Sequence, residues 1–397
     1  MPPTLIRFFL LSGLMLIPML GVPADQAQVT TEDSNPDAAP ATAETFAHGA
    51  STKVLDLGDL RDLEHIVPKL AEKRVVFVGE SHDRYDHHLN QLAIIRQLHA
   101  RNPNLVIAME FFQQPFQPYL DAYIGGSLDE RTFLEKTEYF ERWGYDYRLY
   151  RPIIEYAREQ AIPLLALNIP REISTKVGRS GIDSLNAEER RWIPEQMDRS
   201  DENYRKRLKA IFERHPDTTS RKFERFYEVQ LLWDEGMAER AARYLTENPG
   251  RQMVVLAGEG HLAYGAGIPE RLVRRVPADT AIVLQGMGEE MLPGIADFLL
   301  FSSRADLPPS GRLGVALRPP GQGVRVESVA PDSAAGRAGI KADDWILAIN
   351  GQEVERLVDL KLALMDTRPG ETVQVRVARQ PLWLMDPEEL VLDVTLQ

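Results

Sequence analysis

Two stretches of the chain repeat one pattern of chemistry-bearing residues: Val75-Val76-Phe77-Val78-Gly79-Glu80-Ser81-His82 and Val254-Val255-Leu256-Ala257-Gly258-Glu259-Gly260-His261. Five of the eight positions are identical, and in both an apolar run exits through glycine into a glutamate and a histidine two residues apart. Glycine lets the backbone turn sharply there. A carboxylate and an imidazole near one point suit a divalent metal ion, or acid/base chemistry with histidine as the base and glutamate as its orienter. Two such pairs are hard to obtain by chance from only eight histidines. On this reading His82, His261 and Glu80 are the catalytic groups of a hydrolase.

The elements that must position these groups follow from hydrophobic patterning. Runs at Arg74–Gly79, Leu105–Met109, Ile162–Leu167, Met253–Ala257 and Ala281–Leu284 are almost continuously apolar, as strands covered on both faces must be. Helical periodicity fills the gaps, as with Leu89, Leu92, Ile95 and Leu98. Strand, helix, strand repetition predicts an α/β domain with a parallel sheet and right-handed crossovers. In such a sheet the ligand crevice lies beyond the carboxyl ends of the strands. Glu80 and His82, Glu110, Asn168 and Arg171, and Glu259 and His261 follow four of the runs. His87 and His88 fall on the helix after the first run, where a solvated surface is the expectation. Ser81 lacks the second glycine of a nucleophile turn, and the Gly258-Glu259-Gly260 segment lacks a dinucleotide fingerprint.

A further concentration lies at Trp143–Pro152, with three tyrosines and two arginines. Phenolate can ligate ferric haem and arginine can pair with its propionates. The charged stretch 185–248, with Phe223, Phe226, Leu231, Met237 and Ala241 at helical intervals, predicts a helical insertion packed by its aromatic stripe.

Composition bounds what else the chain can do. With 46 Lys and Arg against 59 Asp and Glu, its formal charge is −13, which repels phosphate backbones and argues against nucleic acid as a partner. No cysteine is present among the 397 residues. Disulfide frameworks, thiolate-bound zinc or iron–sulfur clusters, thiol nucleophiles and covalent c-type haem are therefore excluded. Arg7 followed by the apolar run from Phe8 to Leu20 and by small residues through Ala24 predicts a cleavable signal peptide over 1–24. Without a cysteine there, a lipoprotein anchor is not expected, and the chain is assigned to the periplasm or cell envelope. Residues 25–50 are polar and rich in Ala, Thr and Pro, and read as a disordered leader. The α/β domain is then expected over 51–303 and a Pro-containing linker over 304–310, with a small β-rich unit over 311–397.

Gly79–Asp83, Ala108-Met109-Glu110, Trp143–Pro152, Ala166–Arg171, Gln230–Asp234 with Met237-Ala238, and Gly258–Arg271 together resemble the ChaN-type haem-binding uptake family, within the Tiki and erythromycin-esterase-like superfamily. That resemblance implies an α/β fold binding haem, in iron acquisition at the bacterial envelope, and, by the pattern of the superfamily's hydrolytic branches, Glu80, His82, Glu110 and His261 as metal ligands or general base. It leaves the haem ligand open among Tyr147, Tyr150 and Tyr264, with Arg171 as a propionate partner, and allows a homodimer. The tail resembles a PDZ domain of the HtrA-protease type, through Leu313–Leu317, Val324–Val326, Val329–Ala335, Ala338–Ile340, Asp344–Leu347 and Ile349–Gly351. It implies a C-terminal peptide held by Leu313, Gly314, Val315 and Ala316, whose amides cap the carboxylate while the strand edge adds the peptide. Three functions remain: a haem-handling envelope protein with a peptide-recruiting module, a metal-dependent or histidine-based hydrolase, and a catalytically inert PDZ scaffold.

Overall fold

A computed structural model describes residues 57–214, 220–286, 292–318, 323–380 and 387–397. The expected signal peptide and leader lie outside the described residues. The chain divides into two compact units, 1–62 and 63–397. In the first, Leu57–Asp59 form a 3-10 turn.

The second unit begins with the α/β domain. Its strands are β1 (Val75–Glu80), β2 (Leu105–Gln113), β3 (Leu164–Asn168), β4 (Gln252–Gly258), β5 (Thr280–Gln285) and β6 (Phe298–Leu300). Its helices are α1 (Val67–Ala71), α2 (Tyr85–Arg101), α3 (Gln117–Ile124), α4 (Glu130–Lys136), α5 (Tyr139–Arg142), α6 (Arg151–Glu159), α7 (Arg171–Ser180), α8 (Glu202–Glu213), α9 (Ser220–Glu247) and α10 (Ile268–Arg275). The strands form one parallel sheet in the order β3-β2-β4-β1-β5-β6. All five apolar runs are strands. The additional β6 is three half-buried residues on the sheet edge, too short for a hydrophobic run to announce.

Every residue of β1, β2 and β4 is buried, because helices cover both faces. Val76 and Val78 face one apolar cluster and Val75 and Phe77 the other, the two-residue alternation of a strand. The expected insertion is helical. Tyr204, Leu208 and Phe212 of α8 pack against Phe223 and Tyr227 of α9, and further along α9, Met237, Ala238, Ala241 and Leu245 pack under the sheet.

The remainder of the unit is the antiparallel sheet β12-β11-β9-β8-β7, built from β7 (Val315–Leu317), β8 (Val324–Val329), β9 (Trp345–Ile349), β11 (Thr372–Arg379) and β12 (Glu388–Thr395), with β10 (Gln352–Glu353) paired to β9. Two helices, α11 (Ala334–Ala338) and α12 (Leu357–Leu364), complete it. Among the described residues β7 pairs only with β8 and forms the sheet edge.

Candidate functional site

Parallel pairing of β1 with β4 sets Glu80 opposite Gly258, so both Gly-Glu-x-His exits open on one rim. β2, on the other side of β4, brings Glu110 to the same rim. The four residues expected to gather there do so. Glu80 Oε1 lies 2.5 Å from His82 Nδ1. Glu110 accepts the Gly258 amide at 2.8 Å through Oε2, while its Oε1 lies 3.5 Å from His261 Nε2. A side chain on Gly258 would put Cβ 3.1 Å from His82 Cε1 and 3.3 Å from its Nε2. A Cβ at that position would press on the His82 ring, which packs closely over the β4 exit.

The two halves of the repeat diverge in role. His261 is oriented by Asp234 of α9, whose Oδ1 lies 2.5 Å from Nδ1, and Tyr204 donates to the other oxygen of Asp234 at 2.6 Å. Glu259, the carboxylate expected to orient His261, instead accepts the Gln285 amide at 3.0 Å. Asp234 is thus a site residue that the strand-end reading missed. A signal existed: Asp234 stands four residues before Ala238 on the apolar stripe of α9, an acid on a face destined for burial.

His87 and His88 are not on a solvated surface; both are 1% exposed. The first turn of α2 tucks beneath the β1 exit, where His87 Nδ1 accepts the Ser81 amide at 3.0 Å. His88 Nε2 lies 3.5 Å from Glu80 Oε2 and its Nδ1 lies 3.1 Å from Gln91 Oε1. Glu80 therefore sits between two imidazoles.

Burial opposes charge on His82 and His261, yet the carboxylates outweigh it: Glu80 for His82, Glu110 and Asp234 for His261. Each imidazole is held up at about 9. Glu80 is favoured as the anion, its burial overcome by His82 and His88. His87, which burial dominates, is pushed down to about 4 and stays neutral. Burial, with Glu80 nearby, raises Glu259 to about 7.

Among the described residues no group of three or more His, Cys, Asp or Glu side chains is arranged to hold a metal ion. Each imidazole meets a carboxylate at Nδ1, Glu80 for His82 and Asp234 for His261, the contact that fixes a histidine's tautomer and ring orientation.

The tyrosines separate by burial. Tyr147 and Tyr150 are fully enclosed. The Tyr150 hydroxyl donates to the His82 carbonyl at 3.1 Å and accepts from Trp143 Nε1 at 3.0 Å, a support for the His82 loop. Tyr264, three residues past His261, is half-buried with the Arg207 guanidinium 5.0 Å over its ring. Its φ of 62° lies in the left-handed region, which is strained for a bulky residue and is found preferentially at functional sites. Trp143 and Tyr145 place their rings 4.8 and 5.0 Å from His82.

Arg171 donates to the Glu141 carbonyl and lines a cleft of about 720 Å³ with Arg142, Lys176, Arg179, Glu138 and Glu172. Arg142 immediately precedes Trp143, whose ring meets His82 edge-on. The four cations share that cleft with Glu138, Glu141 and Glu172, and Arg142 pairs with Glu138 and Glu172. In the β-rich module, Leu313 is buried, and Gly314 at φ 74° would drive a Cβ to 2.5 Å from Ser333 Cβ. Val315 and Ala316 lead into the edge strand β7.

A family model described as haem-binding uptake, Tiki superfamily, ChaN, matches residues 66–272. A PDZ domain model matches residues 311–396. A solved structure of cofacial heme binding to ChaN of Campylobacter jejuni is 18% identical, covers 60% of this chain and 91% of that chain, and has a TM-score of 0.50. The HtrA3 PDZ domain bound to a phage-derived ligand is 21% identical over 22% of this chain and 85% of that one, with a TM-score of 0.19. Protein RETICULATA-RELATED 5, chloroplastic, of Arabidopsis thaliana is 25% identical over 272 residues, 61% of this chain. The chain spans only 36% of that protein's length.

Proposed function

Because the chain belongs to the haem-binding uptake family of the Tiki superfamily, ChaN, and carries a PDZ domain, we propose that it is an exported haem-handling protein of the bacterial envelope, acting in iron acquisition. Its PDZ module takes up protein C-termini along β7. Export rests on Arg7 and the apolar run that follows it. The haem reading is supported above all by the contrast among the tyrosines: Tyr264, three residues past His261, is a partly exposed residue with a left-handed backbone, whereas Tyr147 and Tyr150 are sealed in the core. Bound haem supplies a ferric iron, for which phenolate is a ligand. Tyr264 would provide that phenol, and Arg171 and Arg142, which line one cleft, would be the cations offered to the propionates.

A haemin titration of the chain from Asp25, followed by visible absorbance, tests this. A saturable Soret shift at one haem per chain, or per dimer, is expected. Tyr264→Phe weakens binding by at least about tenfold and changes the ligand-field bands, while Tyr150→Phe keeps them. Ligand bands lost in Tyr150→Phe but kept in Tyr264→Phe would overturn the ligand assignment, and absence of a saturable shift removes the haem reading.

The paired dyads, Glu80–His82 and Asp234–His261, favour a second reading as a histidine-based hydrolase. With both imidazoles held at about 9, they serve at neutral pH as proton donors rather than bases. Turnover of an ester panel that disappears in His82→Ala supports it; an inactive native chain ends it.

A further inference from the structure

Helix α12 of the PDZ domain is apolar on two opposite stripes. Leu357, Leu360 and Leu364 pack into the PDZ core, as do Val315 and Leu317 of β7. Leu362 and Met365, at the spacing of the opposite face, pack instead into the core of the α/β domain, and Met365 is only 8% exposed. A helix that is apolar all round is buried on both sides. The second side is the α/β domain, in keeping with the single compact unit 63–397.

Polar contacts frame this seam. Arg151 donates to Asp366 at 2.6 Å and to Glu130 at 2.5 Å, and Arg131 donates to Gln352 at 2.7 Å. Arg356 lies 3.6 Å from Glu135. Such half-exposed pairs contribute little individually, so the Leu362 and Met365 contact carries the docking and the pairs set its register. The partner of α12 across the seam is α5. The residue capping α5 is Trp143, whose ring lies 4.8 Å from His82 and whose Nε1–H donates to the Tyr150 hydroxyl that in turn holds the His82 carbonyl.

We propose that α12 couples the peptide-binding edge of the PDZ domain to the His82 pocket. One face of α12 shares an apolar core with β7 and the other bears on the helix that delivers Trp143. A chain end added along β7 moves α12, and the movement reaches Trp143 and His82. The haem readout of this coupling rests on the function proposed above; the exchange readout does not.

Full-length chain carrying Leu362→Ser with Met365→Ser tests the seam by hydrogen exchange and haemin titration. Amides of 139–150 and 79–88 exchange at least about tenfold faster than in the native chain, and haemin affinity falls by about tenfold. Exchange that rises only within 357–366, with haemin affinity unchanged, overturns the proposal. Arg151→Ala, a milder change at the rim, shifts both readouts in the same direction and keeps the test decisive if the double variant misfolds. If the native chain binds no haemin, the haem reading fails while exchange at 139–150 still decides the coupling. A panel of pentapeptides with free apolar C-termini supplies the other arm. Any peptide that protects 315–317 must also alter exchange at 139–150; protection confined to the PDZ domain counts against coupling.

Discussion

Glu80→Gln drops the His82 imidazole from about 9 to below its ordinary value and destabilises the fold by on the order of 3 kcal/mol at pH 6. Glu80 is 1% exposed and faces His82 Nδ1 at 2.5 Å and His88 Nε2 at 3.5 Å. Removing its charge leaves burial as the dominant influence on His82, and burial disfavours imidazolium. Breaking a buried pair by deleting one partner costs more than the pair contributes, because the other group stays desolvated. Gln keeps the volume, so the loss reports charge rather than a cavity. An NMR titration of His82 together with denaturant unfolding checks it. His82 still titrating near 9, with stability altered by less than about 1 kcal/mol, would show that the pairing is not what holds the site.

Raising the pH from 6.5 to 9 weakens the native chain by several kcal/mol. His82 and His261 are each held at about 9 in the fold against an ordinary 6.5. A folded pKa above the unfolded one gives stability that is complete below 6.5 and lost as pH rises through 9. Each histidine is worth on the order of 3 kcal/mol, and their mutual repulsion makes the total less than twice that. Glu259, raised to about 7 from 4.5, has its loss between those two values and adds to the decline just above 6.5. His87 works the other way. Pushed down to about 4, it removes stability as pH falls below 6.5, a loss that the opposite slope of Glu259 offsets down to 4.5. Unfolding midpoints at pH 6.5, 7.5 and 9 measure the slope. Asp234→Asn removes the part that depends on the Asp234–His261 pair and flattens the curve, and a native chain equally stable at all three pH values would contradict protonated dyads.

The repeated Gly-Glu-x-His exits were legible in the sequence because strand ends in a parallel sheet are the one place where a two-residue spacing after an apolar run has a fixed spatial meaning. The same patterning was enough for the five runs that became strands, the helical character of 185–248 and the β-rich module after residue 310. Which residues complete each dyad was not legible there. His261 takes its carboxylate from Asp234, 27 residues earlier on a helix packed under the sheet, and no local rule ranks Asp234 above Glu259, two residues away. Burial of His87 and His88 likewise came from α2 sitting beneath the β1 exit, since a helix start reads as polar until its neighbour is known. Tyr147, Tyr150 and Tyr264 are chemically equal in sequence; enclosure by Trp143, Phe111 and Tyr139 withdrew the first two, while Tyr264 stays partly exposed. The apolar stripes of α12 were present in the residue order, but only the fold showed that Leu362 and Met365 belong to a different core from Leu360. Local chemistry set which groups could act, and long-range packing decided which of them meet, because pairing of a buried charge depends on whichever element closes over it.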